Sequence, residues 1–116
     1  MKKILIADAN KDFYAIIGET LSDYDYAVHF VHDGKDVSKR VYTVAPDLLI
    51  LDMEIKGVPG NEIYNKIRED QFFKGLPIIV ISGNVSEDNI MNANEIITKP
   101  FDMEELLTKI EGILKE

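Results

Sequence analysis

Short apolar runs rich in β-branched residues recur along the chain at Ile4–Ala7, Ala27–Val31, Leu48–Leu51, Ile78–Ile81 and Ile96–Thr98. Each is short enough for a strand, and three are nearly apolar throughout, as strands covered on both faces are. Between them, apolar positions repeat at helical spacing. Phe13, Ile16, Ile17, Thr20 and Leu21 predict one helix face, Val37, Val41 and Val44 a second, and Ile63, Tyr64 and Ile67 a third. Met103, Leu106, Leu107, Ile110, Ile113 and Leu114 form the longest stripe. Asp102 precedes it and Glu105 follows three residues later, the arrangement of a capping box. A short, polar helix is expected after Ser86, with Ile90, Met91 and Ala93 to anchor it.

A strand–helix unit repeated five times forces parallel strands and right-handed crossovers. The fold class this implies is α/β, a doubly wound five-stranded parallel sheet with helices on both faces. Ligands of such sheets bind outside the carboxyl ends of the strands. The residues just past strands one, three, four and five are Asp8, Asp52, Ser82 and Lys99, so the rule brings all four to one edge.

Composition narrows the picture. The 116 residues fit one domain spanning positions 1–116, with no output domain in this chain. An apolar share of 46% and a charged share of 29% suit a globular protein with a real core. There is no cysteine, which removes disulfide and thiol chemistry. "MKKILIAD" is too short an apolar run for a signal peptide, and nothing approaches a membrane span, so a cytoplasmic location and no membrane partner are expected. The formal net charge of −8 argues against nucleic-acid binding and suits a cation, a basic partner or simple solubility.

In "PDLLILDMEIKG", Pro46 to Gly57, an apolar run ends on Asp52, with Glu54 two residues on. Two acids, a hydroxyl and an ammonium on one rim allow three chemistries. Ser82 with Lys99 makes a nucleophile and base, but no oxyanion loop surrounds Ser82. Paired carboxylates hold a hard divalent cation such as Mg²⁺. A carboxylate also attacks phosphorus to give an acyl phosphate, with metal, lysine and hydroxyl neutralising the equatorial oxygens. The last scheme uses every residue: Asp52 attacks, Lys99 and Ser82 hold phosphoryl oxygens, and Asp8 helps position the metal.

The whole chain resembles the receiver domain of two-component response regulators. The resemblance is carried by "KKILIAD", "HDG", "PDLLILDMEIKGVPG", "LPIIVISG" and "ITKPF", in order and at the right spacing. It implies a flavodoxin-like (β/α)5 fold with strand order 2-1-3-4-5. It implies a phosphorylation-controlled switch in phosphorelay signalling, not a turnover enzyme, with self-catalysed phosphotransfer and dephosphorylation only. Asp52 would accept a phosphoryl group from a sensor histidine kinase or phosphotransfer protein, and a downstream protein would read it. Asp8, Asp52 and the backbone carbonyl of Glu54 would hold Mg²⁺. A cis peptide between Lys99 and Pro100 would aim the lysine inward.

The chain also departs from the family. Ala9 stands where a second acid, a direct metal ligand, is usual, so Mg²⁺ binding is expected to be weak. Asn10 carries an amide oxygen but is expected to cap the first helix. Lys56 replaces a proline and is expected in solvent. Glu54 either supplies part of the missing charge or is an ordinary exposed acid. Sixteen residues, 83–98, separate Ser82 from Lys99, so the fourth helix is expected to be short or irregular. The aromatic switch position is Ile96, which cannot hydrogen-bond.

These departures sustain an alternative: a pseudo-receiver that binds partners without phosphorylation because its metal site is incomplete. A haloacid-dehalogenase-like phosphatase is disfavoured, since "LLILDME" follows the third strand and the chain is short. His29 and His32 lack further zinc ligands and read as surface or edge-strand residues. Phe72 and Phe73 are expected to pack under the loop into the fourth strand, the five tyrosines form no stacking platform, and Asp33-Gly34 reads as a turn into the second helix.

Overall fold

The computed structural model describes residues 1–83 and 93–115. In chain order it contains β1 (Lys3–Ala7), α1 (Lys11–Ser22), β2 (Ala27–Val31), a 3-10 turn (Gly34–Asp36) running into α2 (Val37–Val44), β3 (Leu48–Asp52), α3 (Gly60–Glu69), β4 (Ile78–Ser82), β5 (Glu95–Thr98) and α4 (Met103–Leu114). The polar helix expected after Ser86 lies outside the described residues. All strand pairs are parallel, in the order β2-β1-β3-β4-β5. This is the flavodoxin-like arrangement anticipated from the sequence.

Alternation along the strands divides the core in two. Ile4, Ile6, Leu48, Ile50, Ile79, Ile81 and Ile97 face α1 and α4, against Ile17, Leu21, Leu106 and Ile110. Leu5, Leu49, Leu51, Ile78 and Val80 face the other way, against Val37, Val41, Ile63, Tyr64 and Ile67. Every residue of β3 and β4 is buried. No helix among the described residues is long and apolar enough to cross a membrane.

Two packing expectations change. On α1, Ile16 is 59% exposed and Tyr14 is buried in its place. The true stripe is Tyr14, Ile17 and Leu21, because Tyr14 can bury its ring and still donate its hydroxyl to the Val31 carbonyl at 2.9 Å. Phe72 is 72% exposed, whereas Phe73 packs against the α2–α3 side and meets Tyr42 edge-on. Asp70 accepts from the N–H groups of both phenylalanines, and the turn it ties sends only one ring inward.

The helix starts behave as their residues dictate. Asn10 accepts from the N–H groups of Asp12 and Phe13, Asp102 from that of Glu105, and Asp33 from that of Lys35 at the 3-10 turn. Register then levels the strand ends. Ala7 lies opposite Leu51, Asp52 opposite Ile81, and Ser82 opposite Thr98. Asp8, Asp52, Ser82 and Lys99 therefore share one rim.

Candidate functional site

Asp52 is the last residue of β3 and only 4% exposed. Its Oδ1 accepts from the Glu54 N–H at 2.8 Å, and its Oδ2 lies 2.8 Å from the Lys99 ammonium. An apolar strand delivers this carboxylate, and one lysine from the end of β5 meets it. Lys99 is itself placed by its N–H, which donates to the Ser82 carbonyl at 2.9 Å. The Lys99–Pro100 peptide is cis. Burial pulls the Lys99 ammonium down, but the hydrogen bond and charge of Asp52, with Glu54 behind them, hold it above the ordinary lysine value.

Asp8, 7% exposed, sits one residue past β1. Its Oδ1 accepts from the Asn10 N–H at 2.8 Å. Burial, reinforced by the neighbouring Asp52, pushes its carboxyl up to about 6, against the opposing pull of the Asn10 hydrogen bond and Lys99. Ser82 is 1% exposed at the end of β4, while Ile81 and Gly83 on either side line a cleft of about 620 Å³. Asp8, Asp52, Glu54 and Lys99 line the same cleft.

The departures from the family also find their places. Ala9 is half-buried and brings no oxygen to the rim. Among the described residues no group of three or more acids or histidines gathers as a metal cluster. The donor set that remains, two buried carboxylates of which Asp8 is lifted first by burial and then by Asp52, still suits a hard divalent cation, with fewer ligands than three acids would offer. Lys56 is exposed, and its backbone carbonyl accepts from the Gly34 N–H at 2.7 Å. Ile96 is half-buried against the α2–α3 side of the core. His29 lies half-buried on the edge strand β2, and His32 is exposed against Tyr14.

The cleft is also lined by Phe13, Gly83 and Phe101, whose positions in the sequence alone do not place them there. Phe13 packs against the core from α1, as its place in the stripe predicts, and also meets Phe101 edge-on, ring centres 6.1 Å apart, where both line the cleft. The adjacency of Phe101 to Lys99 and Pro100 was the available signal. Gly83 follows Ser82, and a Cβ there would lie 2.6 Å from the Glu54 Oε1.

Residues 4–111 match the family model of the response regulator receiver domain. Among solved structures, the response regulator protein TrrA from Thermotoga maritima, in complex with Mg²⁺-BeF, is 27% identical; 98% of this chain and 100% of that one align, with a TM-score of 0.85. The chemotaxis response regulator CheY4 of Vibrio cholerae is 24% identical, over 98% of this chain and 99% of that one, with a TM-score of 0.87. The signal receiver domain of a DNA-binding response regulator from Colwellia psychrerythraea is 21% identical over 100% of both chains, with a TM-score of 0.88. The last two likenesses speak for the fold alone.

Proposed function

The chain belongs to the response regulator receiver domain family, and on that premise we propose that it is a phosphorylation-controlled switch whose phosphoacceptor is Asp52. Receiver domains are signalling domains that interact with histidine kinases and downstream effectors in two-component systems. The observation that carries the assignment is the buried Asp52 carboxylate with the Lys99 ammonium 2.8 Å from it at the mouth of a cleft.

The donor is a phosphohistidine on a sensor kinase or phosphotransfer protein. An Asp52 oxygen attacks phosphorus, an O–P bond forms, the N–P bond breaks, and the electron pair leaves with the imidazole. Lys99 follows the charge onto the phosphoryl oxygens, and the Ser82 hydroxyl offers a hydrogen bond to one of them. Asp8, Asp52 and the backbone carbonyl of Glu54 would hold Mg²⁺, which supplies further neutralisation of phosphoryl charge when bound. The same residues support self-catalysed loss of the phosphoryl group to water.

Ala9 favours a second reading, a protein-interaction module that works without phosphorylation. Incubation with acetyl phosphate and Mg²⁺, followed by intact mass measurement, separates the two. The wild type is expected to gain one phosphoryl group and Asp52→Asn none. A gain that survives in Asp52→Asn places the chemistry elsewhere, and no gain in the wild type favours the second reading.

A further inference from the structure

We propose that Tyr14 is a positioning residue for the cation site: its hydroxyl, bonded to the Val31 carbonyl, holds the exit from β1 that carries Asp8. The proposal rests on Asp8 being a ligand of Mg²⁺ beside Asp52, and it adds a side chain from α1 that sets how well Asp8 is presented.

One carbonyl closes a short circuit. Val31, the last residue of β2, accepts from the Asp8 N–H at 3.1 Å and from the Tyr14 hydroxyl at 2.9 Å. From Asp8 the chain turns through Ala9 into Asn10, whose N–H donates to Asp8 Oδ1 at 2.8 Å and whose side chain caps α1. Tyr14 stands about one helical turn beyond that cap and returns to the carbonyl where the circuit began. Asp8 is thus held at its backbone by β2 and at its carboxylate by the turn, and the tyrosine ties the far end of that turn to the same atom.

The hydroxyl is not there for the core alone. The Tyr14 ring is buried on the α1 side of the sheet, where it stacks on Phe30 with ring centres 4.4 Å apart and meets His32 at 4.9 Å. A phenylalanine would fill that place with no polar atom to bury. The Val31 carbonyl does not require the hydroxyl either, since the Asp8 N–H already satisfies it. What the oxygen adds is a second bond at the rim, near enough to the site that the charges of Asp8 and Asp52 reach it. Burial, then the Asp8 charge, push its pKa up to about 12, so it keeps its proton and donates at neutral pH. Ala9 gives this tie its weight. It leaves Asp8 as the acid at the end of β1, so a cation between β1 and β3 depends on how that carboxylate is held.

The test compares wild type, Tyr14→Phe and Ile17→Val through a Mg²⁺ titration, read by the amide shifts of Asp8 and Asp52. The urea midpoint and the hydrogen exchange of the Asp8 amide, taken relative to the β3 amides, are recorded without metal. Tyr14→Phe keeps the ring and loses only the hydroxyl. It is expected to weaken Mg²⁺ about three- to ten-fold, up to the low end of what loss of an outer-shell partner brings, and to speed the relative exchange at Asp8. Ile17→Val trims a fully buried residue of the same helix, so it should lower the midpoint and leave Mg²⁺ affinity and relative exchange as in wild type. Equal Mg²⁺ affinity in wild type and Tyr14→Phe overturns the proposal. An Ile17→Val protein that loses affinity in step with its midpoint also overturns it, because stability would then be the cause. A titration that moves Asp52 and not Asp8, or a wild type that binds no Mg²⁺, removes the premise and the proposal with it. The phosphoacceptor reading is decided separately, by the mass gain from acetyl phosphate.

Discussion

Asp8 and Ala9 are neighbours with opposite effects on the charge of the rim. Asp8 is buried beside Asp52, and its carboxyl stands at about 6 against 3.8 in the open chain. The folded state thus binds this proton more tightly than the unfolded state. Stability contributed by the protonated form is complete below pH 4 and is lost as pH rises through 6. The whole difference, from 3.8 to about 6, corresponds to a cost on the order of 3 kcal/mol at neutral pH. Asp8→Asn keeps an oxygen for the Asn10 N–H and removes the charge. In metal-free buffer it should raise the urea midpoint at pH 7.5, with about half that gain at pH 5; an equal midpoint at pH 7.5 would show that Asp8 carries no such burden. Ala9→Asp works in the other direction. It adds a charge and, on the proposed metal site, would add a direct ligand; a lost metal-binding partner costs at least about tenfold in affinity. Ala9→Asp should therefore tighten Mg²⁺ by tenfold or so and lower the apo melting temperature, read by calorimetry. Equal Mg²⁺ affinity in the two proteins would mean that the gap is already filled.

At the scale of elements, the loop after β3 is laced to the turn after β2. The Gly34 N–H donates to the Lys56 carbonyl at 2.7 Å, and Asp33 pairs with Lys56 as an isolated parallel bridge. Gly57 has φ +93°, and a Cβ there would lie 2.2 Å from Asp33 Oδ1, the oxygen that caps the 3-10 turn. Gly57→Ala should cost at least about 1–2 kcal/mol for the left-handed backbone, with the displaced Asp33 adding to it. Denaturant unfolding measures this directly, and a loss below a few tenths would mean that the loop shifts freely. Elements like these show what the residues could announce and what they could not. β3 and β4 announced themselves because both faces are covered, so their apolar runs are unbroken. Asn10 and Asp102 announced the helix starts because a cap is a local bond. The phase of α1 did not show, since Ile16 and Tyr14 fit a stripe equally well until the Val31 carbonyl offers the tyrosine a partner. Phe13 against Phe101, and Glu54 against Gly83, join segments far apart in sequence, and no spacing rule records such a meeting.

Across the whole molecule, cohesion and chemistry occupy different places. The two apolar clusters lie on opposite faces of the sheet, one under α1 and α4 and the other under α2 and α3. Asp8, Asp52 and Ser82, the buried polar residues among the described ones, belong to neither cluster and sit where the strands run out. A doubly wound sheet makes this division by geometry, because helices cover the faces and leave the carboxyl ends to solvent. Removing Lys99 should thus be felt by the site and scarcely by the fold. Its side chain is 36% exposed, and the cleft lets water reach Asp52 once the ammonium is gone, so Lys99→Ala should shift stability by no more than about 1 kcal/mol. Ile110→Ala, cut into the fully buried seam between α4 and the sheet, should cost about 2–5 kcal/mol. Far-UV circular dichroism and urea unfolding of the two variants supply that comparison. The phosphorylation arm reverses the order: Ile110→Ala should still take a phosphoryl group where it is folded, and Lys99→Ala should lose any phosphorylation-dependent change in its amide spectrum. A Lys99→Ala protein that unfolds would make the lysine a structural strut, and the separation of switch from scaffold would fail at its first residue.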